Sequence, residues 1–202
     1  MTASRTRQLL LATNNPGKVR EFRRLLESCG FNIVTPADLG LVLDVEENGA
    51  TYAENAALKA KAFARAAGCA ALADDSGIEV DALGGRPGMY SARYGGEGLD
   101  DVQRTALLLK DLDGVPGAQR TARYRAVVAL ALPGDDVRTF EGVQEGRIGH
   151  APRGEGGFGY DPVFLVDGGR SQAEISAAEK DRISHRGQAV RLACAYLRAL
   201  PG

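Results

Sequence analysis

The sequence predicts an α/β fold with a mixed β-sheet, and three observations support this prediction. The chain opens with an apolar strand, a polar loop, a helix and a second strand, which is the alternation typical of α/β proteins. Two later strands flank a Pro-Gly-Asp-Asp turn at 133–136, a hairpin signal that adds an antiparallel pair. No linker-like segment interrupts the chain, so residues 1–202 are predicted to form a single domain, with any second lobe inserted within it.

The elements before residue 70 follow from hydrophobic spacing and from turn residues. The turn Asn14–Gly17 ends the first apolar run, and Thr51 with Glu54 forms the capping-box pattern of a helix start. Glycines at 30 and 68 supply helix stops. The predicted elements are a strand at 8–13, a helix from 19 to 30, a strand at 31–35 and a helix from 51 to 68.

The second part of the chain is predicted in the same way. Two strand pieces are expected to flank a turn made by Asp74–Gly77, and the glycine-rich segment 84–88 is expected to be a loop. The remaining predicted elements are a helix at 100–112, strands at 121–132, 137–143 and 162–166, and a last helix that Ser184 caps.

Composition excludes several classes of protein. Basic and acidic residues nearly cancel, 25 against 26, so neither a nucleic-acid polymer nor an anionic membrane is expected as the main partner. The N-terminal region holds an apolar run too short for a secretory signal or a membrane span, which favours a cytoplasmic protein. Cys29, Cys69 and Cys194 lack metal-site spacing and are expected to be buried free thiols.

Glycine is unevenly distributed along the chain. Of the 26 glycines, 16 fall in the two windows 77–98 and 142–169. Glycine is needed where the backbone bends sharply or approaches another group closely, so both windows are expected to contain such backbone.

The segment Thr13–Lys18 is a candidate anion site. It places hydroxyl, amide and lysine groups at a strand-to-helix turn, where backbone N–H groups and a helix N-terminus favour a phosphate. It is not a Walker A loop, because Ala12 and Val19 stand where that motif needs glycine and Ser/Thr. The alternative is a plain turn before a helix.

Two acidic pairs suggest a cation site. Asp74 and Asp75 follow an apolar strand, and paired buried carboxylates need a counter-charge, for which a divalent cation with oxygen ligands is the usual solution. Glu46 and Glu47 form a second pair that could converge on the first. The alternative is a solvated turn in which aspartate acts as a local cap.

A glycine-rich loop and a basic segment complete the candidate site. Gly154-x-Gly156-x-x-Gly159 has the residue pattern of the dinucleotide-binding fingerprint. It precedes a strand instead of opening a helix, so a Rossmann-type dinucleotide site is excluded. The loop instead presents Phe158, Tyr160 and Asp161, unless its aromatic rings only pack in the core. Lys180 and the segment 184–187 bring cations to a helix entrance, which suits an anionic or carbonyl-rich ligand, the alternative being an exposed basic cap.

These motifs together resemble the inosine/xanthosine triphosphate pyrophosphatase family, house-cleaning enzymes for non-canonical purine nucleotides. The resemblance runs from about Leu9 to Leu197 and is carried, in family order, by ATNNPGKVREF, the E-N-A-x-x-K-A run at 54–60, ALADDSGIEVDALGGRPGMYSARYGG, GFGYDPVF and SHRGQA. It implies an elongated mixed sheet flanked by helices, with two lobes around a central nucleotide cleft, and a homodimer.

The resemblance also implies an activity and a role for each motif. The activity is Mg²⁺-dependent hydrolysis of ITP, dITP and XTP to the nucleoside monophosphate and pyrophosphate, which keeps these nucleotides out of DNA and RNA. Asp75 would be the catalytic carboxylate, as proton acceptor and metal ligand, with Glu46 as a further metal ligand and Asp74 ranked below Asp75. The substrate-binding residues would be Thr13, Asn14, Asn15, Pro16, Gly17, Lys18 and Ser76 for the triphosphate, Phe158, Gly159, Tyr160 and Asp161 for the base, and Lys180, His185 and Arg186, the last two near the six-keto edge of the purine.

Two other functions remain open at this point. One is a related nucleotide diphosphohydrolase that prefers pyrimidine or modified-base triphosphates. The other is a nucleotide sensor without catalysis, against which the presence of Asp75, Glu46 and Lys18 argues.

Overall fold

The computed structural model describes residues 7–134 and 136–199. In these residues the α-helices are α1 (Pro16–Leu26), α2 (Tyr52–Ala67), α3 (Asp101–Asp111), α4 (Ala177–Ile183) and α5 (His185–Ala199). The strands are β1 (Gln8–Leu11), β2 (Asn32–Val34), β3 (Ala70–Val80), β4 (Pro87–Gly88), β5 (Thr121–Ala131), β6 (Val137–Ile148) and β7 (Phe164–Leu165).

The strands form one mixed sheet in the order β2-β1-β3-β5-β6-β7, with β4 paired to β3. β1 runs parallel to both neighbours, with Leu9 opposite Ile33 on β2 and opposite Ala70 on β3. β3 and β4 are antiparallel, as are β6 and β7. The α/β fold class with a mixed sheet flanked by helices is therefore confirmed.

Local sequence signals explain where the helices begin. Asn15 caps α1 by accepting from the backbone N–H of Lys18, and Thr51 caps α2 by accepting from the N–H of Glu54. α3 has a complete capping box, in which Asp100 and Gln103 bond reciprocally to each other's backbone.

The region around Asp74 differs from its prediction. β3 runs without a break from Ala70 to Val80, so the expected turn at 74–77 is an extended strand. Both aspartates are buried in it, which also contradicts the alternative of a solvated turn. A carboxylate inside a strand is tolerated here because side chains from other parts of the chain supply its partners.

Three further elements differ from the prediction. α4 was not predicted, and its last residue directly precedes Ser184. β6 continues to Ile148 instead of ending at 143, and β4 lies in the segment expected to be a loop. The 133–136 hairpin turn joins neighbouring strands, although its residue 135 lies outside the described residues.

The first of two compact units contains the chain up to Asp75, Val127–Glu141 and the chain from Arg186. Its core is one apolar cluster from α1, α5, β1, β3 and β5, in which Leu9, Phe22 and Leu26 are fully buried. The cluster is built from Leu9, Leu11, Phe22, Leu26, Cys29, Leu72, Val128, Leu130, Ala189, Val190, Ala193, Cys194 and Leu197.

The second compact unit contains Ser76–Ala126 and Gly142–His185. Its core joins α3 to β5, β7 and the segment 160–166, with Ile78, Leu108 and Phe164 fully buried. The cluster is built from Ile78, Val80, Leu108, Leu112, Ala122, Tyr124, Ile148, Tyr160, Val163, Phe164, Val166 and Ile175.

A close backbone approach explains one glycine of the first window. A Cβ atom on Gly77 would overlap the carbonyl oxygen of Gly88 on the paired strand β4. Backbone cannot yield as a flexible side chain can, so β3 and β4 pair at this register only with glycine at 77.

The cysteines correct a further expectation. Cys29 and Cys194 form a disulfide, with their Cα atoms 5.4 Å apart, within the range that a bridge requires. The prediction of buried free thiols is therefore wrong for this pair. Cys69 is free and partly exposed.

Within the described residues, none of the helices combines the length and the apolar character needed to cross a bilayer.

Candidate active site

The loop between β1 and α1 carries the predicted anion-binding segment. Asn15 uses its side-chain oxygen to accept from the N–H of Lys18 at 3.1 Å, and its own N–H donates to the hydroxyl of Thr13 at 3.2 Å. Pro16 occupies the first turn of the helix, where its missing N–H has no cost. The predicted strand–loop–helix context of 13–18 is therefore present, and both its phosphate-binding role and the plain-turn alternative stay open.

Asp74 lies at the centre of a buried charge cluster in the first unit. Its Oδ1 is 3.0 Å from Nζ of Lys18, and its Oδ2 accepts from Nη2 of Arg186 at 3.1 Å. Arg186 also donates from Nη1 to Oε2 of Glu21 at 2.6 Å. Two cations and two anions thus neutralise one another, and three of them, Arg186, Glu21 and Asp74, have almost no water access, whereas Lys18 is partly exposed.

The charges of this cluster and its burial shift the pKa values of Asp74 and Lys18. Burial alone would raise the pKa of Asp74, but the positive charges of Lys18 and Arg186 hold it well below its usual range. Burial lowers the pKa of the Lys18 ammonium below its ordinary 10.5, although Asp74 opposes that effect. Asp74 is therefore an ionised partner of these two cations.

Asp75, the next residue, has different surroundings. Its Oδ2 accepts from the amide Nδ2 of Asn55 on α2 at 3.3 Å. Burial raises the pKa of Asp75 above its usual value, although Lys59 and Asn55 partly oppose the rise. A carboxylate with a raised pKa is a better proton acceptor than an ordinary one, which distinguishes Asp75 from Asp74.

The acidic segment before α2 lies close enough to affect Asp75. The negative charge of Glu47 adds to the rise in the pKa of Asp75, and Glu47 itself pairs with Nζ of Lys59 at 3.0 Å. Glu46 is exposed in the same segment. In the described part of the chain, no group of three or more acidic, histidine or cysteine side chains is arranged to hold a metal ion.

In the second unit, Asp161 organises the loop that was predicted to contact the base. Its Oδ2 accepts from the N–H of Phe158 at 2.8 Å and from the ammonium of Lys180. Its Oδ1 accepts from the hydroxyl of Tyr124 at 3.3 Å and from the side-chain amide of Gln172 at 3.4 Å. The buried carboxylate of Asp161 therefore holds the loop in one conformation.

The two aromatic residues of this loop differ in exposure. Tyr160 is buried in the core of the second unit and donates its hydroxyl to the carbonyl oxygen of Ser91 at 2.8 Å, which agrees with the packing alternative. Phe158 is only half-buried, and Nζ of Lys180 lies 5.1 Å from its ring centroid. Gly159 is fixed by its N–H, which donates to Asp101 on α3 at 2.8 Å. Phe158 is therefore the ring of this loop that retains an accessible face.

The predicted basic segment is distributed over two helices. Lys180 lies within α4, whereas His185 and Arg186 begin α5. All three side chains are buried, so the alternative of an exposed basic cap is wrong. His185 stacks on Tyr124, with ring centroids 4.7 Å apart and an angle of 11° between the rings.

The sequence-based prediction missed residues that contact the predicted ones. Asn55 and Lys59 lie four residues apart, on one face of α2, and their spacing within the E-N-A-x-x-K-A run was the available signal. Glu21 and Tyr124 gave no such signal, because each reaches its partner only through the fold. Ser76 continues β3 beside Asp75, half-buried, as the first residue of the second unit.

Comparison with known proteins agrees with the resemblance drawn from the motifs. Residues 9–196 match the model of the Ham1 family. A dITP/XTP pyrophosphatase of Bacillus subtilis (strain 168) is 47% identical over 186 residues, covering 92% of this chain and 94% of that protein. The Staphylococcus aureus Ham1 protein has a TM-score of 0.83 at 38% identity, covering 95% of this chain and 98% of its own. A HAM1 protein from Coxiella burnetii has a TM-score of 0.86 at 37% identity, covering 96% and 100%. With the family model spanning nearly all of its length, this chain belongs to the Ham1 family.

Proposed function

We propose that this chain is a nucleoside triphosphate pyrophosphatase that hydrolyses dITP, ITP and XTP to the nucleoside monophosphate and pyrophosphate. One structural observation carries the proposal, the contrast between two adjacent buried carboxyls. Asp74 is neutralised by Lys18 and Arg186, whereas Asp75 accepts a hydrogen bond from the neutral amide of Asn55 and is suited to accept a proton. Relatives named dITP/XTP pyrophosphatase, such as that of Bacillus subtilis, support the substrate class.

In the proposed reaction, Asp75 removes a proton from the water that attacks the α-phosphorus. A new bond forms between this water oxygen and the α-phosphorus, and the bond from the α-phosphorus to the oxygen that bridges it to the β-phosphorus breaks. Pyrophosphate leaves with the electron pair of that bond. Lys18 and the N–H groups of the 13–18 turn bind the phosphate oxygens and offset the charge that develops on them, with Ser76 as an additional donor.

We propose that Asp75 and Glu46 bind a magnesium ion. Carboxylate oxygens are the ligands that Mg²⁺ prefers, and Mg²⁺ is commonly held by one or two carboxylates together with substrate phosphates. Asp75 and the exposed Glu46 would provide those carboxylates. When bound, the ion would polarise the phosphate and lower the pKa of the attacking water.

The second unit would bind the base. Phe158 would stack on the purine with the ring face that Lys180 leaves open, and Gly159, Tyr160 and Asp161 would set the position of that ring. Hypoxanthine and xanthine present O6 as an acceptor and N1–H as a donor, whereas adenine presents the reverse pattern and would leave buried partners unpaired. His185, with Arg186 beside it, would read this edge.

We further propose that the protein acts as a cytoplasmic homodimer that keeps non-canonical purine nucleotides out of DNA and RNA. Light scattering tests the oligomeric state, since each chain contributes 21.3 kDa.

The proposed activity is tested by measuring pyrophosphate release from ITP, dITP, XTP, dUTP, GTP and ATP, with and without Mg²⁺. We expect release from the first three with Mg²⁺ and background release after chelation. The substitution Asp75→Asn should lower kcat by at least about 100-fold, the low end for losing a general base. Preferential release from dUTP would indicate the pyrimidine-specific alternative, binding without release would indicate a sensor, and near-wild-type turnover by Asp75→Asn would refute the assigned mechanism.

A further inference from the structure

Tyr124 lies on β5 and contacts two elements that were predicted to recognise the base. Its ring stacks on the imidazole of His185, with centroids 4.7 Å apart and the planes within 11° of parallel. Its hydroxyl donates to Oδ1 of Asp161 at 3.3 Å. All three residues belong to the second unit, and all three are buried.

The Tyr124 ring is itself fixed by packing. Its centroid lies 4.5 Å from that of Phe164, which is tilted by 49° and fully buried. A ring held in this way cannot shift without disturbing the core of the second unit. Tyr124 therefore provides a rigid flat surface for its neighbours.

The stack with Tyr124 limits how His185 turns. The terminal torsion of a histidine side chain is broad, so the imidazole plane is poorly defined unless a neighbour restricts it. Hydrogen bonds to a purine edge lie near the plane of the imidazole, and they weaken steeply when that plane rotates. The Tyr124 ring, which is parallel to the imidazole of His185, thus restricts that imidazole to one plane and fixes the direction of its hydrogen bonds.

We propose that Tyr124 is a positioning residue for base selection, whose ring fixes the imidazole plane of His185 against the six-keto edge of the purine. Its hydroxyl, through Asp161, helps to hold the loop that carries Phe158. The proposal rests on the function proposed above and adds a residue that determines specificity without touching the substrate.

The test compares Tyr124→Leu with Tyr124→Phe in pyrophosphate release from dITP, XTP and dATP. Tyr124→Leu removes the ring, so the ratio of kcat/KM for dITP to that for dATP should fall about tenfold, the value of one misdirected hydrogen bond. KM for dITP should rise, while kcat stays within about threefold, because other residues bind the reacting phosphates. Tyr124→Phe keeps the ring and should keep the selectivity ratio within about threefold.

Two controls separate positioning from general destabilisation. Leu112→Ala removes a buried side chain from the same core and should lower stability without changing the selectivity ratio. In a double-mutant cycle, Tyr124→Leu should add little to the selectivity loss of His185→Gln, because both changes remove the same interaction. If Tyr124→Leu does not fold, Tyr124→Met, whose flexible side chain fills irregular space, takes its place with the same expectations.

A spectroscopic measurement tests the stack without relying on activity. The chain has two histidines, and the exposed His150 supplies an internal reference for the imidazole proton signals of His185. The ring current of Tyr124 should shift the His185 signals, and this shift should persist in Tyr124→Phe and disappear in Tyr124→Leu.

The possible failures can be told apart. Absence of pyrophosphate release from dITP and XTP by the wild type would refute the proposed function itself. With an active wild type, the role of Tyr124 is refuted if Tyr124→Leu retains its selectivity, or if Tyr124→Phe loses as much selectivity as Tyr124→Leu. It is also refuted if Tyr124→Leu lowers kcat without changing the selectivity ratio, or if the His185 signals have the same positions in Tyr124→Leu as in the wild type.

Discussion

Two neighbouring carboxyls on β3 show how far single residues can diverge in role. Asp74 and Asp75 differ by one position in the chain and are both buried. Asp74 contacts two cations, whereas the hydrogen bond to Asp75 comes from the amide of Asn55. Charge balance in the folded state therefore depends on Asp74, and the capacity to accept a proton resides in Asp75.

This contrast predicts unequal effects of two isosteric substitutions on stability. Asp74→Asn removes the buried carboxylate that pairs with both Lys18 and Arg186 and should lower the free energy of unfolding by about 3–5 kcal/mol. Asp75→Asn removes a charge that burial already disfavours, so it should change the free energy of unfolding by less than about 1 kcal/mol. Urea unfolding of both variants at pH 7 measures the difference, and equal losses would contradict the assignment of charge balance to Asp74.

The sequence predicts the acidic pair but not the partner of each member. Adjacent aspartates after an apolar strand indicate a site that needs positive charge. One of the two cations that neutralise Asp74, however, lies 112 residues away, on α5. The family resemblance implies that Arg186 contacts the base, which stays a prediction, and the structure bonds its guanidinium to Asp74 and Glu21. Such pairings depend on tertiary structure and leave no periodic signal in the chain.

At the scale of elements, local patterns predicted more than long-range contacts did. The strand, turn and helix at the start of the chain follow from an apolar run and a capping residue, and the structure contains all three. β3 was predicted as two pieces because Asp, Ser and Gly usually mark turns. The strand continues because α1, α2 and α5 carry side chains that satisfy the two carboxylates. Tertiary partners thus override local preference at the candidate site.

The loop that carries Phe158 depends on a close contact at Gly157. Gly157 has φ +74°, and a Cβ there would overlap Oδ2 of Asp161, which holds Phe158 and Lys180. Gly168 has a similar φ of +84° but open space around it. An alanine would be strained by its positive φ at either position, but its Cβ would overlap a neighbouring atom only at 157.

Gly157→Ala should therefore be more damaging than Gly168→Ala. We expect Gly157→Ala to lower the free energy of unfolding by about 1–3 kcal/mol more than its control, the cost of displacing a buried hydrogen-bonded group. It should also raise KM for dITP, because the Phe158 ring loses its fixed position. Urea unfolding and steady-state kinetics measure both effects, and equal behaviour of the two variants would show that the overlap has no consequence.

At the scale of the whole molecule, each core gathers segments that lie far apart in the chain. The first unit combines the N-terminal part, a middle stretch and the C-terminal helix α5. α1 and α5 pack in one cluster there, and Cys29 and Cys194 meet within it although 165 positions separate them in the sequence. Spacing rules for cysteines apply to local motifs, which is why the sequence predicted free thiols instead of a bridge.

The disulfide between Cys29 and Cys194 should stabilise the molecule by closing this long loop. Removing a bridge of this kind lowers the free energy of unfolding by about 2–5 kcal/mol, because the unfolded chain regains conformational freedom that the cross-link denies it.

We expect one titratable thiol per denatured chain before reduction, from Cys69, and three afterwards, with a lower urea midpoint for the reduced protein. Cys69→Ser should leave no thiol before reduction and keep the same sensitivity of the midpoint to reductant. Three thiols before any reduction, or a midpoint that reductant does not change, would contradict a stabilising bridge.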